Sequence, residues 1–269
     1  MLAERLIYLF IIYAYALSLF FSLADLLAPD GRKARWGRIL HVVVWLAQTA
    51  FLLVRILVNF PLFASYDALF FYSWVLVTFS LVLHLYLRID LFVFFANLIG
   101  FIVLSLSLFT VQHVSVDQAE LLLSELVFIH VTMAILAYAF FSLSTLFAVL
   151  FLIGNHLLKK KKWNRTLRRL PSLGRIQTFG HWLAIAGVVF LVLSLILGSI
   201  WAYQQVGSDF WQDSKVYGSL LVLIAYLFQL RRLNSWSGPS RARLSIVAFM
   251  TIPLNILLFG AGTSFHQWQ

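Results

Sequence analysis

Apolar stretches of about 20 residues recur eight times along this chain, separated by short segments that hold nearly all of its charge. The stretches read as 6–27, 39–58, 67–87, 91–111, 126–152, 181–203, 216–230 and 244–262. A helix of roughly 20 residues crosses about 30 Å of hydrocarbon and satisfies its own backbone hydrogen bonds there. The pattern therefore predicts an all-α polytopic membrane protein with eight transmembrane helices, a single transmembrane domain over residues 1–269. The seventh stretch is short and is expected to begin inside the polar segment before it. Four of the five prolines, Pro29, Pro61, Pro171 and Pro239, fall between stretches, whereas Pro253 lies inside the last one beside Asn255. The first stretch is as long as a full span and lacks a small-residue cleavage site, so it is expected to be retained as a helix.

Composition excludes the soluble alternative. With 62% hydrophobic and 11% charged residues and a mean hydropathy of +0.93, too little polar surface exists to cover a water-soluble core. Charge then orients the helices, because Lys and Arg are retained on the cytoplasmic side. Of the 20 basic residues, 17 fall in the connections after the first, third, fifth and seventh stretches; Arg5, Arg55 and Lys215 lie elsewhere. Both termini are thus expected outside. Topology accounts for the net charge of +10, and no nucleic-acid partner is needed. The basic segment KKKKWNRTLRRLPSLGR at 159–175 can lie on anionic lipid or meet a cytoplasmic protein.

Cysteine is absent, which removes disulfides, thiolate ligands and thioether attachment, so histidine is the expected ligand for any metal or haem. His41, His84, His156 and His181 stand at the inner ends of stretches, where an imidazole finds water and lipid phosphate. His113, His130 and His266 lie toward the outer face. His113 sits in the polar run VQHVSVDQAE, but His130 is set in the apolar run SELVFIHVTMAILAYAFFSLS, and His266 is in the C-terminal TSFHQWQ. On the same side, residues 198–228 read GSIWAYQQVGSDFWQDSKVYGSLLVLIAYLF, a tryptophan-bearing polar loop between apolar stretches.

These parts suit haem, an apolar plate that needs flat walls, axial imidazoles and donors for two carboxylates. Trp201, Tyr203, Phe210 and Trp211 can supply walls, His130 and His266 axial nitrogens, and Arg55 or Lys215 a charge for a propionate. Each also has a plainer reading. The tryptophans fit an interfacial belt, Arg55 can snorkel to the headgroups, and Asp213 with Lys215 can form a local solvated pair. No HExxH, GxSxG, paired intramembrane aspartates or mid-span lysine occurs, so an enzyme is not expected.

The loop resembles the signature WAxxxWGxxWxWDPKE of the cytochrome c assembly family, keeping Trp201, Ala202, Gly207, Asp213 and Lys215. It departs at Val206, at Phe210-Trp211-Gln212 and at Ser214 and Val216. FIHVTMAILAYA around His130 and SFHQW around His266 match the family's two flanking histidine segments, while an intramembrane histidine of the longer members gives way near Asn59. The stretches LFFYSWVLVTFSL and LGSIWAYQQ and the chain length are similar to a short HemX-type subgroup associated with haem biosynthesis genes. The resemblance implies a bacterial cytoplasmic-membrane protein binding haem b through His130 and His266, with Trp201, Gly207, Trp211, Asp213, Lys215 and Arg55 about the site. It further implies restraint of glutamyl-tRNA reductase abundance, with that enzyme or another haem-pathway protein as a cytoplasmic partner. The alternative is a haem transporter or cytochrome c assembly factor presenting haem at the outer face. An electron-transferring cytochrome b is disfavoured, because its ligand histidines pair across a bundle and those here are scattered.

Overall fold

A computed structural model describes residues 2–59, 65–87, 89–108, 125–161, 170–231 and 238–260. Those residues form eight α-helices and contain no strand. The helices are α1 (Leu2–Leu27), α2 (Gly31–Asn59), α3 (Ser65–Leu87), α4 (Asp90–Ser107), α5 (Glu125–Lys159), α6 (Leu173–Val206), α7 (Ser214–Arg231) and α8 (Gly238–Gly260). A short 3-10 helix, Gly207–Gln212, joins α6 to α7. The helices follow the eight predicted stretches in order, and α7 does begin inside the tryptophan-bearing segment. Six segments among the described residues are long and apolar enough to cross a membrane: Leu6–Leu27, Gly31–Leu57, Ala68–Tyr86, Asp90–Ser107, Glu125–Lys159 and Leu173–Gln205. The chain is a multi-pass membrane protein.

Several helices outrun their apolar stretches. Helix α5 has 35 residues and α6 has 34, or about 50 Å each at 1.5 Å per residue, well beyond the hydrocarbon thickness. Hydropathy marks the part of a helix that sits in lipid, whereas backbone hydrogen bonding continues into the headgroups. The 159–175 segment is shortened accordingly: Lys159 ends α5, and α6 starts after Ser172, whose side chain accepts from the Arg175 N–H at 3.4 Å. His113, His266, Lys162, Arg165, Arg168 and Arg169 lie outside the described residues.

The helices group into two compact units, Met1–Gln112 and His113–Gln269. In the first, α1 to α4 enclose an aromatic core that includes Tyr8, Tyr15, Phe51, Phe70 and Leu104. A buried polar chain runs through it. Tyr15 donates to Asn97 Oδ1 at 3.1 Å, Asn97 Nδ2 reaches Ser80 Oγ at 3.0 Å and His41 Nδ1 at 3.3 Å, and Ser80 Oγ meets His41 Nε2 at 3.2 Å. His41 is only 5% exposed, so the expectation of an interfacial imidazole bathed in water and lipid phosphate is corrected. Asn97 on α4 and Ser80 on α3 supply the partners that water would have given. His84 stands 3.9 Å from the Asp90 carboxylate at the start of α4.

In the second unit α5 and α6 form an extensive antiparallel pair, joined by α7 and α8 around Phe141, Leu191, Val222, Tyr226 and Ile252. Phe141 and Tyr226 stack with ring centroids 3.6 Å apart. Small residues on α6, namely Gly180, Ala184, Gly187, Ser194 and Gly198, recur at spacings of three, four and seven and open one face of that helix. Phe147 packs on Gly180, Phe141 on Gly187 and His130 on Gly198, so the register descends α5 as it climbs α6.

Candidate haem site at the His130 end of the second unit

His130 stands in the second turn of α5, half-buried, with its ring laid over the backbone of Gly198. Its Nδ1 lies 2.7 Å from the Ser194 carbonyl oxygen and 3.0 Å from Ser194 Oγ, and Ser194 Oγ donates to the His130 carbonyl at 3.0 Å. A carbonyl can only accept, so Nδ1 carries the proton. The neutral ring then has its lone pair on Nε2, the tautomer that ligates a metal through Nε2. Ser194 and Gly198 escaped the sequence reading. The signal that could have found them was the small-residue spacing on α6.

The tryptophan-bearing segment is not an open loop. Helix α6 runs on through Trp201 to Val206 and ends at Gly207, whose φ of +65° and ψ of −140° suit glycine alone. The Gly207 N–H bonds the Tyr203 carbonyl, and the 3-10 turn then carries Phe210 and Trp211. Asp213 closes the corner: its N–H bonds the Phe210 carbonyl at 3.2 Å, and its carboxylate accepts from the Lys215 backbone N–H at 2.8 Å. Asp213 is 4% exposed, which corrects the reading of Asp213 and Lys215 as a solvated surface pair. The carboxylate caps the first turn of α7 instead.

This corner folds back over α5 and α6 to leave a cavity of about 220 Å³. His130, Gly198, Ala202, Phe210, Trp211 and Lys215 line it, with aliphatic atoms from Leu195 and Val216. The Phe210 and Trp211 rings lie 4.7 Å apart at 34°, giving a wall of two tilted aromatic faces. Lys215, ahead of the predicted seventh span, is half-buried; burial pushes its ammonium down to about 8, against the opposing pull of Asp213. No group of three or more metal-ligating side chains occurs among the described residues, so His130 is a single potential protein ligand on this wall.

Of the residues expected at the site, His130, Phe210, Trp211 and Lys215 share the cavity. Gly207 and Asp213 shape the corner without lining it, and Trp201 is a buried residue of α6, 5% exposed, outside the lining. Tyr203, also proposed as a wall, is exposed and does not line the cavity. Arg55 belongs to α2 in the first unit, and His266 lies outside the described residues. The donor set fits an iron porphyrin in kind: an imidazole whose Nδ1 is held by Ser194, an aromatic wall and a primary amine within one mostly apolar cavity.

The fold and this site define a class, a helical multi-pass membrane protein with a histidine and tryptophan-bearing corner on one bundle end. The chain belongs to the cytochrome c assembly family: the description Cytochrome C assembly protein matches residues 62–266. It is 40% identical to Protein HemX of Bacillus subtilis over 263 residues, covering 96% of this chain and 95% of that protein. Protein HemX of Brevibacillus brevis is 39% identical over 269 residues, 98% of each chain. The cytochrome c biogenesis protein CcsA of Mesostigma viride is 25% identical over 244 residues, 78% of each.

Proposed function

We propose that the protein binds haem b at the His130 cavity and acts in haem homeostasis as a HemX-like regulator, restraining glutamyl-tRNA reductase abundance from the bacterial cytoplasmic membrane. In this reading the eight helices all span the bilayer as one domain with both termini outside, and neither catalysis nor nucleic acid is involved. The observation that carries it is the His130 tautomer fixed by Ser194 inside the cavity that also holds Trp211 and Lys215. His130, through Nε2, and His266 would hold the iron, and Lys215 would supply a positive charge for a carboxylate of the group. Bound there, haem supplies an iron centre whose occupancy reports the cell's haem level. Trp211 and Phe210 exclude water from one face of the cavity, and Ser194 keeps the Nδ1 proton in place.

Regulation requires two states of the protein that differ in haem affinity. The basic 159–175 segment is the proposed cytoplasmic contact for glutamyl-tRNA reductase or another haem-pathway protein. The match to CcsA proteins over 78% of the chain favours a second reading, a transporter or assembly factor presenting haem at the outer face. Haem titration of detergent-purified protein, read at the Soret band for wild type, His130→Ala, His266→Ala and the double variant, tests the site. A histidine-type spectrum weakened by either substitution supports it; identical wild-type and double-variant spectra sink it. Glutamyl-tRNA reductase levels and c-type cytochrome maturation in cells lacking the protein separate regulation from delivery.

A further inference from the structure

The second unit has another polar pocket, at the far end of the same α5 and α6 pair. His130 and Phe147 are 17 residues apart on α5, about 25 Å along a helix axis. Phe147 lies on the wall of a space of about 50 Å³ between α5, α6, α7 and α8. Gln177 and His181 enter it from α6, Gln229 from α7, and Arg241 and Ser245 from α8. Among the described residues no acidic side chain lines it. Arg241 lies within electrostatic reach of His181, so the pocket sets a fixed positive charge beside an imidazole nitrogen.

Gln229 adds an independent sign. Its Nε2 donates to Ser245 Oγ at 3.3 Å, while its Oε1 is buried and, among the described residues, has no hydrogen-bond partner. The two ends of a primary amide exchange at no steric cost, so the end left without a partner among the described residues can be the NH2 group, which donates. Guanidinium, imidazole, amide and hydroxyl donors thus converge from three helices on one compact, acid-free space. A tetrahedral group with several acceptor oxygens can use donors from that many directions. Phe147, Ala148 and Phe151 on α5 give the remaining wall an apolar surface.

We propose that this pocket is a binding site for a phosphate group, held by Arg241 and His181 with the Gln177 and Gln229 amides. The phosphate can belong to an anionic lipid headgroup or be free in solution, and basic pockets between transmembrane helices on the cytoplasmic side commonly take headgroups. The site is independent of haem.

Native mass spectrometry of the full chain with phosphatidylglycerol or phosphatidylcholine, beside thermal melts with sodium phosphate, tests it. Arg241→Gln and Gln229→Leu are compared with Arg243→Gln, an exposed neighbour outside the lining. Wild type and Arg243→Gln should retain phosphatidylglycerol at least tenfold better than Arg241→Gln and about fivefold better than Gln229→Leu. Stabilisation by sodium phosphate that disappears in the same two variants assigns the site to free phosphate, and a lipid effect without it assigns a headgroup. Equal retention and equal melting responses across wild type, Arg241→Gln and Gln229→Leu overturn the proposal. If Arg241→Gln does not fold, Gln229→Leu and His181→Gln decide it by the same criteria.

Discussion

Gly198 and His130 are fitted so closely that a Cβ at position 198 would stand 2.5 Å from His130 Cε1 and 2.7 Å from Nδ1. The imidazole occupies the space that glycine leaves, and Ser194 one turn away fixes its tautomer. Gly198→Ala should therefore push the ring off the Ser194 carbonyl. The expected outcome is haem affinity at least tenfold weaker, with helicity retained. Haem titration beside far-ultraviolet circular dichroism checks it, with Gly174→Ala as the neutral reference, since nothing lies within 4 Å of a Cβ there.

Ser194→Ala removes the hydroxyl contact to Nδ1 but keeps the carbonyl at 2.7 Å. Partners that orient a ligating histidine are worth about 10- to 100-fold in metal affinity when lost entirely. With one of two contacts kept, the expected loss is toward the lower bound, about tenfold. A titration showing wild-type affinity would mean that the carbonyl alone orients the ring.

The Lys215 amine, lowered by burial to about 8, makes the binding of an anion at this cavity dependent on pH. The charged amine attracts a carboxylate, so binding is strongest below about 8 and weakens as pH rises through that value. Lys215→Gln should bind more weakly at pH 7 and show little change between pH 7 and 9. Haem titrations at fixed ionic strength over that range read the difference; parallel wild-type and variant profiles would remove Lys215 from the site.

Gly207 holds φ at +65° with ψ at −140°, a region costing about 1–3 kcal/mol for other residues. Gly207→Ala should lower the melting temperature in detergent by several degrees and loosen the corner that carries Phe210 and Trp211. Differential scanning fluorimetry checks the stability, and the accessibility of Trp211 to a soluble quencher, in a variant background keeping it as the sole outer tryptophan, checks the corner.

In the first unit, Asn97 joins Tyr15, Ser80 and His41 in one buried chain. Asn97→Leu leaves those polar groups to find new partners, a penalty of about 1–3 kcal/mol for each buried group left unsatisfied. A markedly lower melting temperature is expected, with haem binding by the second unit unchanged. Equal melting temperatures for the two proteins would show the chain to be energetically neutral.

The eight helices, their order and the start of α7 within the tryptophan-bearing segment were legible from hydropathy alone, because each coincides with an apolar run, six of them long and apolar enough to cross a membrane. The motif around His130 and the corner residues Gly207 and Asp213 could likewise be picked out from residue type and spacing. What those residues do was not legible. The structure makes Gly207 a helix stop and Asp213 a cap, roles that φ and hydrogen bonding at a corner decide and that depend on how the chain turns. His41 had the sequence surroundings of an interfacial side chain, but Asn97 and Ser80 reach it from helices distant in sequence. The partnership of His130 with Ser194 and Gly198, 64 and 68 residues away, exists only because α5 and α6 pack antiparallel in one register. Composition and period fix which segments enter the membrane, whereas side-chain partners across helices are set by packing, which no local pattern records.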